Sequence, residues 1–264
     1  MGNLGSTGDQ TGQAATPTVA EDGGPGMVRL GLGLMLINVT TYLAIFAVLN
    51  VILPAQIAAG AGESGKEAAL GVITTLGAIA AMVAAPVWGA LSDRHTSRLG
   101  RRGAWILAGA AALLVTLNVV GASQSLVVIG AGWVLSQSAV NATLMGFSTA
   151  IPERVPVARR GLMSGVVGIA SGLAIALAAI VGAAFISAPL TGTMVLSILA
   201  LVGAVAYLVI APEPRSEILT PTERPAILSS MLASLRDSAD FRWTWVGRFL
   251  VVLGYFLIQA RLLY

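Results

Sequence analysis

Few residues in this chain have side chains that could do chemistry, and most of those are charges. The run from Gly89 to Gly103 reads GALSDRHTSRLGRRG, one carboxylate among four guanidinium groups. Asp93 can accept hydrogen bonds from the amides opening a following helical segment, or pair with Arg94 or Arg98. Read as charge alone, the same arginines only set the side of a membrane on which the loop lies. A second set is neutral. Asn38, Thr41 and Tyr42 share a face of one apolar stretch, and Gln137, Asn141 and Ser148 share a face of another. Their amides and hydroxyls suit the hydroxyls of a sugar or another neutral polar solute. They equally suit helix–helix hydrogen bonds worth about 1 kcal/mol each. Asn50, Thr74, Thr75, Thr116 and Asn118 read as packing. Catalysis has little to draw on. The chain has no cysteine and a single histidine, His95, in a basic loop. Thiol nucleophiles, disulfides and histidine metal clusters are therefore excluded, and neither a cofactor nor an enzyme is expected.

The elements that must position these groups follow from composition. Apolar residues make up 56% of the 264 and charged residues only 10%, and the mean hydropathy is +0.86. A soluble domain carries roughly a quarter charged residues, so a bilayer must cover much of this surface. The net charge of +3 is spread over short loops between apolar runs, which argues against nucleic acid as a partner. Crossing a bilayer takes about 20 apolar residues in a helix whose backbone is satisfied internally. Spans are expected near 30–57, 71–91, 104–122, 126–150, 162–187 and 193–211, with a seventh from about 248 to 264. The fold class is thus an all-α membrane bundle of six helices plus an incomplete seventh.

Residues 1–27 contain Asp9, Glu21 and Asp22 but neither Lys nor Arg, and read as a disordered tail. Arginines crowd every second connection, around 94–102, 154–160 and 215–248, while the opposite loops hold only Lys66 beside Glu63 and Glu67. The positive-inside rule makes the Arg-rich loops and the amino terminus cytoplasmic, with Trp88, Trp105, Trp243 and Trp245 as anchors on that side. Within 212–247, Ile227, Leu228, Met231, Leu232 and Leu235 recur at helical spacing, which suits an amphipathic linker on the membrane surface. No ionisable residue lies inside the first six spans away from their ends, although such residues commonly mark ion pathways. Arg261 is the only interior basic candidate.

The loop after the second span resembles the signature loop of the major facilitator superfamily, where a helix-ending Gly and an Asp-Arg pair are followed by Gly-Arg-Arg. Gly89, Asp93, Arg94, Gly100, Arg101 and Arg102 match it, and the spacer His95-Thr96-Ser97-Arg98 is similar to that of glycoside and sucrose cation symporters. Arg160-Gly161 resembles the Arg-Gly pair of sugar porters, and Pro212-Glu213-Pro214-Arg215 resembles an element closing the sixth helix. The resemblance covers residues 28–264 and implies the amino-terminal half of a carrier plus the start of its seventh helix. It implies alternating access in a cell (plasma or inner) membrane, with a second carboxy-terminal bundle of about six helices as partner. The signature loop, Arg98 included, would act as a cytoplasmic latch supported by Glu153, Arg160, Glu213 and Arg215. The neutral polar set would line the central cavity. The solute would be small, polar and sugar-like, with a proton or sodium ion coupled through the second half or through neutral ligands. Multidrug efflux is the alternative within the superfamily, and a six-helix receptor or assembly protein the alternative outside it. Two small-residue stripes, Gly77, Ala81, Ala85 and Gly89, and Gly165, Gly168, Gly172 and Ala176, either meet the second bundle or pack within the first.

Overall fold

The structure, a computed structural model, describes residues 25–94, 97, 99–100, 102–213 and scattered positions between 239 and 250. Two compact units are distinguished, Met1–Ser216 and Glu217–Tyr264. In the second, the described positions are helical. The expected linker and seventh span otherwise lie outside the described residues, as do the tail before Pro25 and the side chains of Glu63, Asp93 and Arg94.

Six helices of the first unit are long and apolar enough to cross a bilayer: Pro25–Gly62, Ser64–Ser92, Gly103–Ala122, Leu126–Arg154, Val157–Ala183 and Pro189–Ile210. Among the described residues there is no strand. The all-α membrane bundle expected from composition is the architecture found.

The boundaries differ from the expectation in instructive ways. The first helix begins at Pro25, within the stretch read as tail, because proline's fixed φ and missing N–H suit a helix's first position. The polar break expected over 58–70 shrinks to one residue. Alanines on either side sustain helix, and only Gly62, at φ 69° and ψ 174°, interrupts it. Lys66 and Glu67 therefore lie on helix. The fourth span relaxes at Thr149 and resumes as Ala150–Arg154. Within the first span, Val48–Ile52 forms a π-helical turn, with the Leu53 N–H donating to the Val48 carbonyl.

The spans pack in an arc. The second lies on the fourth, the fourth on the third, the third on the sixth, the sixth on the first and the first on the fifth. The second and fifth, at its two ends, are the least covered, with 17% and 22% of their apolar windows buried against 56% for the first. Small residues set the spacing elsewhere. A Cβ on Gly109 would stand 2.8 Å from the Ala139 carbonyl and 2.7 Å from the Thr143 amide, so the third and fourth backbones almost touch. Side-chain bonds reinforce these seams, with Ser136 donating to Thr116 at 2.9 Å and Asn118 to Ser197 at 3.2 Å. Thr74 donates to its own helix at Leu70. Packing roles for Thr116 and Asn118 agree with these bonds, whereas the Thr74 bond stays within its own helix. Asn50 and Thr75 are exposed instead. The rings of Trp88 and Trp105 meet at a tilt of 50° with centroids 5.3 Å apart, and the Trp88 indole donates to Ser138 at 3.1 Å.

Candidate functional site

Apart from Glu63, Lys66 and Glu67, the described charged residues of the first unit lie at one end of the bundle, the end at which the first, third and fifth spans begin. Arg102 precedes the third span and is buried, and its guanidinium pairs with Glu153 of the fourth at 2.8 Å. One residue further on, Arg154 turns the other way, to the end of the sixth span. Its guanidinium donates to the Ala211 and Pro212 carbonyls at 3.2 Å each, and one Nη lies 3.7 Å from Glu213 Oε1. Tyr207 donates its hydroxyl to the same carboxylate oxygen at 3.1 Å. The chain leaves helix after Ile210, and Arg154 takes up the two carbonyls just past that end while compensating the acid beside the helix's negative pole.

The signature loop seats against that acid. Gly100 has φ 86° and is buried, and a Cβ there would run into the Glu213 Cβ. Its turn is closed by the Gly100 N–H on the Ser97 carbonyl at 3.1 Å and by the Ser97 hydroxyl on the Gly100 carbonyl at 2.6 Å. Only glycine meets both demands, a left-handed backbone and direct contact with Glu213. Gly100→Ala should therefore destabilise the folded protein by about 1–2 kcal/mol from backbone conformation alone. A lowered thermal midpoint in detergent checks this, and an unchanged one would show that the turn is not built as described.

The other expected gate residues divide. Gly89 is half-buried with open space where a Cβ would stand. Asp93 and Arg94 lie in the last turn of helix after the second span, while Arg98, Arg101 and Arg215 lie outside the described residues. Arg160 donates to the Val155 and Pro152 carbonyls at 3.0 and 2.7 Å, bracing its own loop rather than reaching Glu213. Sequence reasoning missed Arg154 and Tyr207. The available signal for Arg154 was the Glu153-Arg154 pair, opposite charges that answer Arg102 and Glu213; nothing local marked Tyr207.

The neutral polar residues sit on the first and fourth spans. Asn38 is buried, and its Oδ1 accepts from Ser171 of the fifth span at 2.6 Å, a contact that sequence did not indicate. Thr41 is buried and its hydroxyl has no partner among the described residues, which costs about 1–3 kcal/mol unless another group supplies a bond. Tyr42 is half-buried and stacks on Phe46 at 5.7 Å. On the fourth span Asn141 donates to the Gln137 carbonyl at 2.8 Å, both side chains are half-buried, and Ser148 is exposed.

The small-residue stripes behave differently from each other. Gly77 is buried against the indole nitrogen of Trp133, so part of the second-span stripe packs within this unit. On the fifth span Met163, Ala170, Ala174, Ala178 and Gly182 face inward, whereas Cβ atoms on Gly165, Gly168 and Gly172 would meet nothing within 4 Å. Among the described residues no cluster of His, Cys, Asp and Glu could hold a metal ion.

Compared with known families, residues 34–263 match the Major Facilitator Superfamily. No curated protein matches the chain significantly.

Proposed function

Because this chain belongs to the Major Facilitator Superfamily, and so is a multi-pass membrane transporter, we propose that it works by alternating access as a secondary active carrier of a small polar, sugar-like solute. The observation supporting this most directly is the fifth span. One of its faces is filled by the first span, and the opposite face offers three glycines with nothing within 4 Å of their Cβ positions among the described residues. Lipid tails gain little from such a face, whereas a second helix bundle can approach it closely and slide along it. The central site would then lie between this bundle and that partner, lined by Asn38, Thr41, Tyr42, Gln137, Asn141 and Ser148.

The Arg-rich end, taken as cytoplasmic by the positive-inside rule, would be the latch. There the Arg102–Glu153 and Arg154–Glu213 pairs join the ends of the third, fourth and sixth spans, with Asp93 and Arg94 beside them in sequence. The glycoside and sucrose cation symporter-like spacer, together with amide-rich and aromatic-poor spans, favours a neutral polyhydroxylated solute taken up by symport at the cell membrane.

The test is uptake of labelled sucrose and other neutral sugars by the full-length protein in proteoliposomes, with and without proton or sodium gradients. Gradient-driven uptake that slows in Asp93→Asn at equal incorporation is the expected outcome. Full uptake in that variant would remove the latch. Uptake of lipophilic cations in place of sugars would favour the efflux reading, and absence of any flux would favour a receptor or assembly role.

A further inference from the structure

We propose that Ser171 is a positioning residue for the candidate cavity. Its hydroxyl sets the Asn38 amide so that a solute meets either a hydrogen-bond donor or an acceptor there, which selects neutral hydroxyl groups. This role rests on the carrier reading of the chain and specifies how its site would recognise a solute. Both residues lie about 20 Å along their helices from Pro25 and Val157, at 1.5 Å per residue, and so near mid-depth in a bilayer. Lipid offers no hydrogen bonds at that depth, so an amide there has to be satisfied by protein, water or solute. Asn118 and Asn141 meet this demand within their own helices. Asn118 donates to the Leu114 carbonyl at 2.6 Å and Asn141 to that of Gln137 at 2.8 Å, each four residues back. Asn38 does the reverse. Its Oδ1 accepts from Ser171 at 2.6 Å, and its Nδ2 has no partner among the described residues. In the first span the described polar atoms that are both buried and unpartnered belong to Thr41 and Gln56, so the Asn38 nitrogen stays reachable. A bond serving only to join the first and fifth spans has no need of a free donor beside it.

The Ser171 hydroxyl gives the pair two states. It lies within reach of two acceptors, Asn38 Oδ1 at 2.6 Å and the Val167 carbonyl at 2.9 Å, and has one proton to donate. When the proton goes to Oδ1, Nδ2 faces away from Ser171 as a donor. When it goes to Val167, the hydroxyl oxygen accepts from Nδ2 after a half-turn of the amide, and Oδ1 takes the outward place as an acceptor. The two ends of an amide are nearly the same size, so the half-turn needs no repacking. A sugar hydroxyl both donates and accepts, and either state serves it. A carboxylate or an ammonium group uses one state only and finds no opposite charge within the six spans away from their ends.

The test is uptake of labelled sucrose and labelled glucose by the full-length protein in proteoliposomes. Each is competed by analogues in which one hydroxyl at a time is replaced by hydrogen, which neither donates nor accepts, or by fluorine, which only accepts. At one position the wild type should tolerate fluorine and bind the deoxy analogue about three- to tenfold more weakly, the value of one neutral hydrogen bond. Ser171→Ala should raise KM for the parent sugar by a similar factor, keep the maximal rate and leave the deoxy analogue unchanged. Ser171→Thr, which retains the hydroxyl, should restore the parent sugar. Asn38→Asp, which only accepts, should lose the fluoro analogue and keep the parent. An equal change for parent and deoxy analogues in Ser171→Ala, or no change in either, overturns the positioning role and leaves the carrier reading standing. Tolerance of fluorine by Asn38→Asp does the same, and if that variant does not fold the Ser171 variants decide alone. Absence of sugar uptake by the wild type removes the sugar-carrier reading and the positioning role with it. Thermal midpoints of Asn38→Ala, Ser171→Ala and the double variant then tell the two failures apart. Non-additive losses show a real pair without a sugar to serve, and additive losses show that the pair itself is not built.

Discussion

Arg154→Ala is expected to cut solute uptake at least tenfold at equal incorporation, and to leave the Arg-rich end of the bundle open. The guanidinium holds three groups at once, the Ala211 and Pro212 carbonyls and the Glu213 carboxylate. Glu213 has only 9% of its side chain exposed, against 21% for Arg154, so removing the arginine leaves a largely buried charge whose remaining partner among the described residues is the Tyr207 hydroxyl. Breaking a buried pair from one side costs about 3–5 kcal/mol, and the partial exposure of Arg154 places this case toward the lower figure. About 1.4 kcal/mol already shifts an equilibrium tenfold. A carrier that must close this end in one of its states therefore loses that state from most of its population. Two measurements check the prediction: the initial transport rate of the solute the wild type carries, and the labelling rate of a single cysteine near Glu213, which should rise. Arg154→Lys should fall between, since it keeps the charge but not the planar fork that reaches several acceptors. Wild-type uptake and labelling in Arg154→Ala would mean that the contact is passive.

Gly203→Leu is expected to abolish the folded, monodisperse protein altogether. Gly203 is where the sixth span crosses the first, and a Cβ there would collide with Thr40 Oγ1 and stand 2.9 Å from its Cβ. Thr40 cannot swing away freely, because it is buried and its hydroxyl donates back to Leu36 at 2.9 Å. Overpacking a well-filled site costs about 1–3 kcal/mol, and a leucine between two helix backbones lies beyond that range because the helices themselves must separate. Fluorescence-detected size exclusion and thermal melting in detergent read the effect. Gly203→Ala should lower the melting temperature without preventing folding, and Thr40→Ala should restore part of that loss by removing the hydroxyl. A folded Gly203→Leu with an unchanged midpoint would contradict the crossing described here.

Much of the bundle could be read before any coordinates. A helix crossing a membrane is specified locally: about 20 apolar residues suffice, and lipid forces the backbone to satisfy itself. Six spans and the clustering of arginines at alternate connections followed from that. Boundaries were less legible where helix propensity and polarity disagree. Residues 58–70 look like a loop because they carry Glu63, Lys66 and Glu67, yet their alanines keep them helical on both sides of Gly62. Of the expected gate, the motif positions Gly100, Arg102 and Glu213 were identifiable and lie at one end, Gly100 against Glu213 and Arg102 on Glu153. Arg160 was identifiable too, but braces its own loop. The second member of the Glu213 pair, Arg154, had to be seen in place.

Composition and charge order alone determined that this is a polytopic helical membrane protein, because those properties decide each helix independently of its neighbours. Which residues touch was decided only in the tertiary structure. Whether Asn38 meets Ser171, whether Gly77 packs inward while Gly165, Gly168 and Gly172 face outward, and where a π-turn relaxes the first span all depend on how each helix is rotated and crossed. In lipid, apolar faces are nearly equivalent, so hydropathy does not set that rotation. Close contacts between small residues and a few polar bonds set it instead, and these exist only once the helices have met.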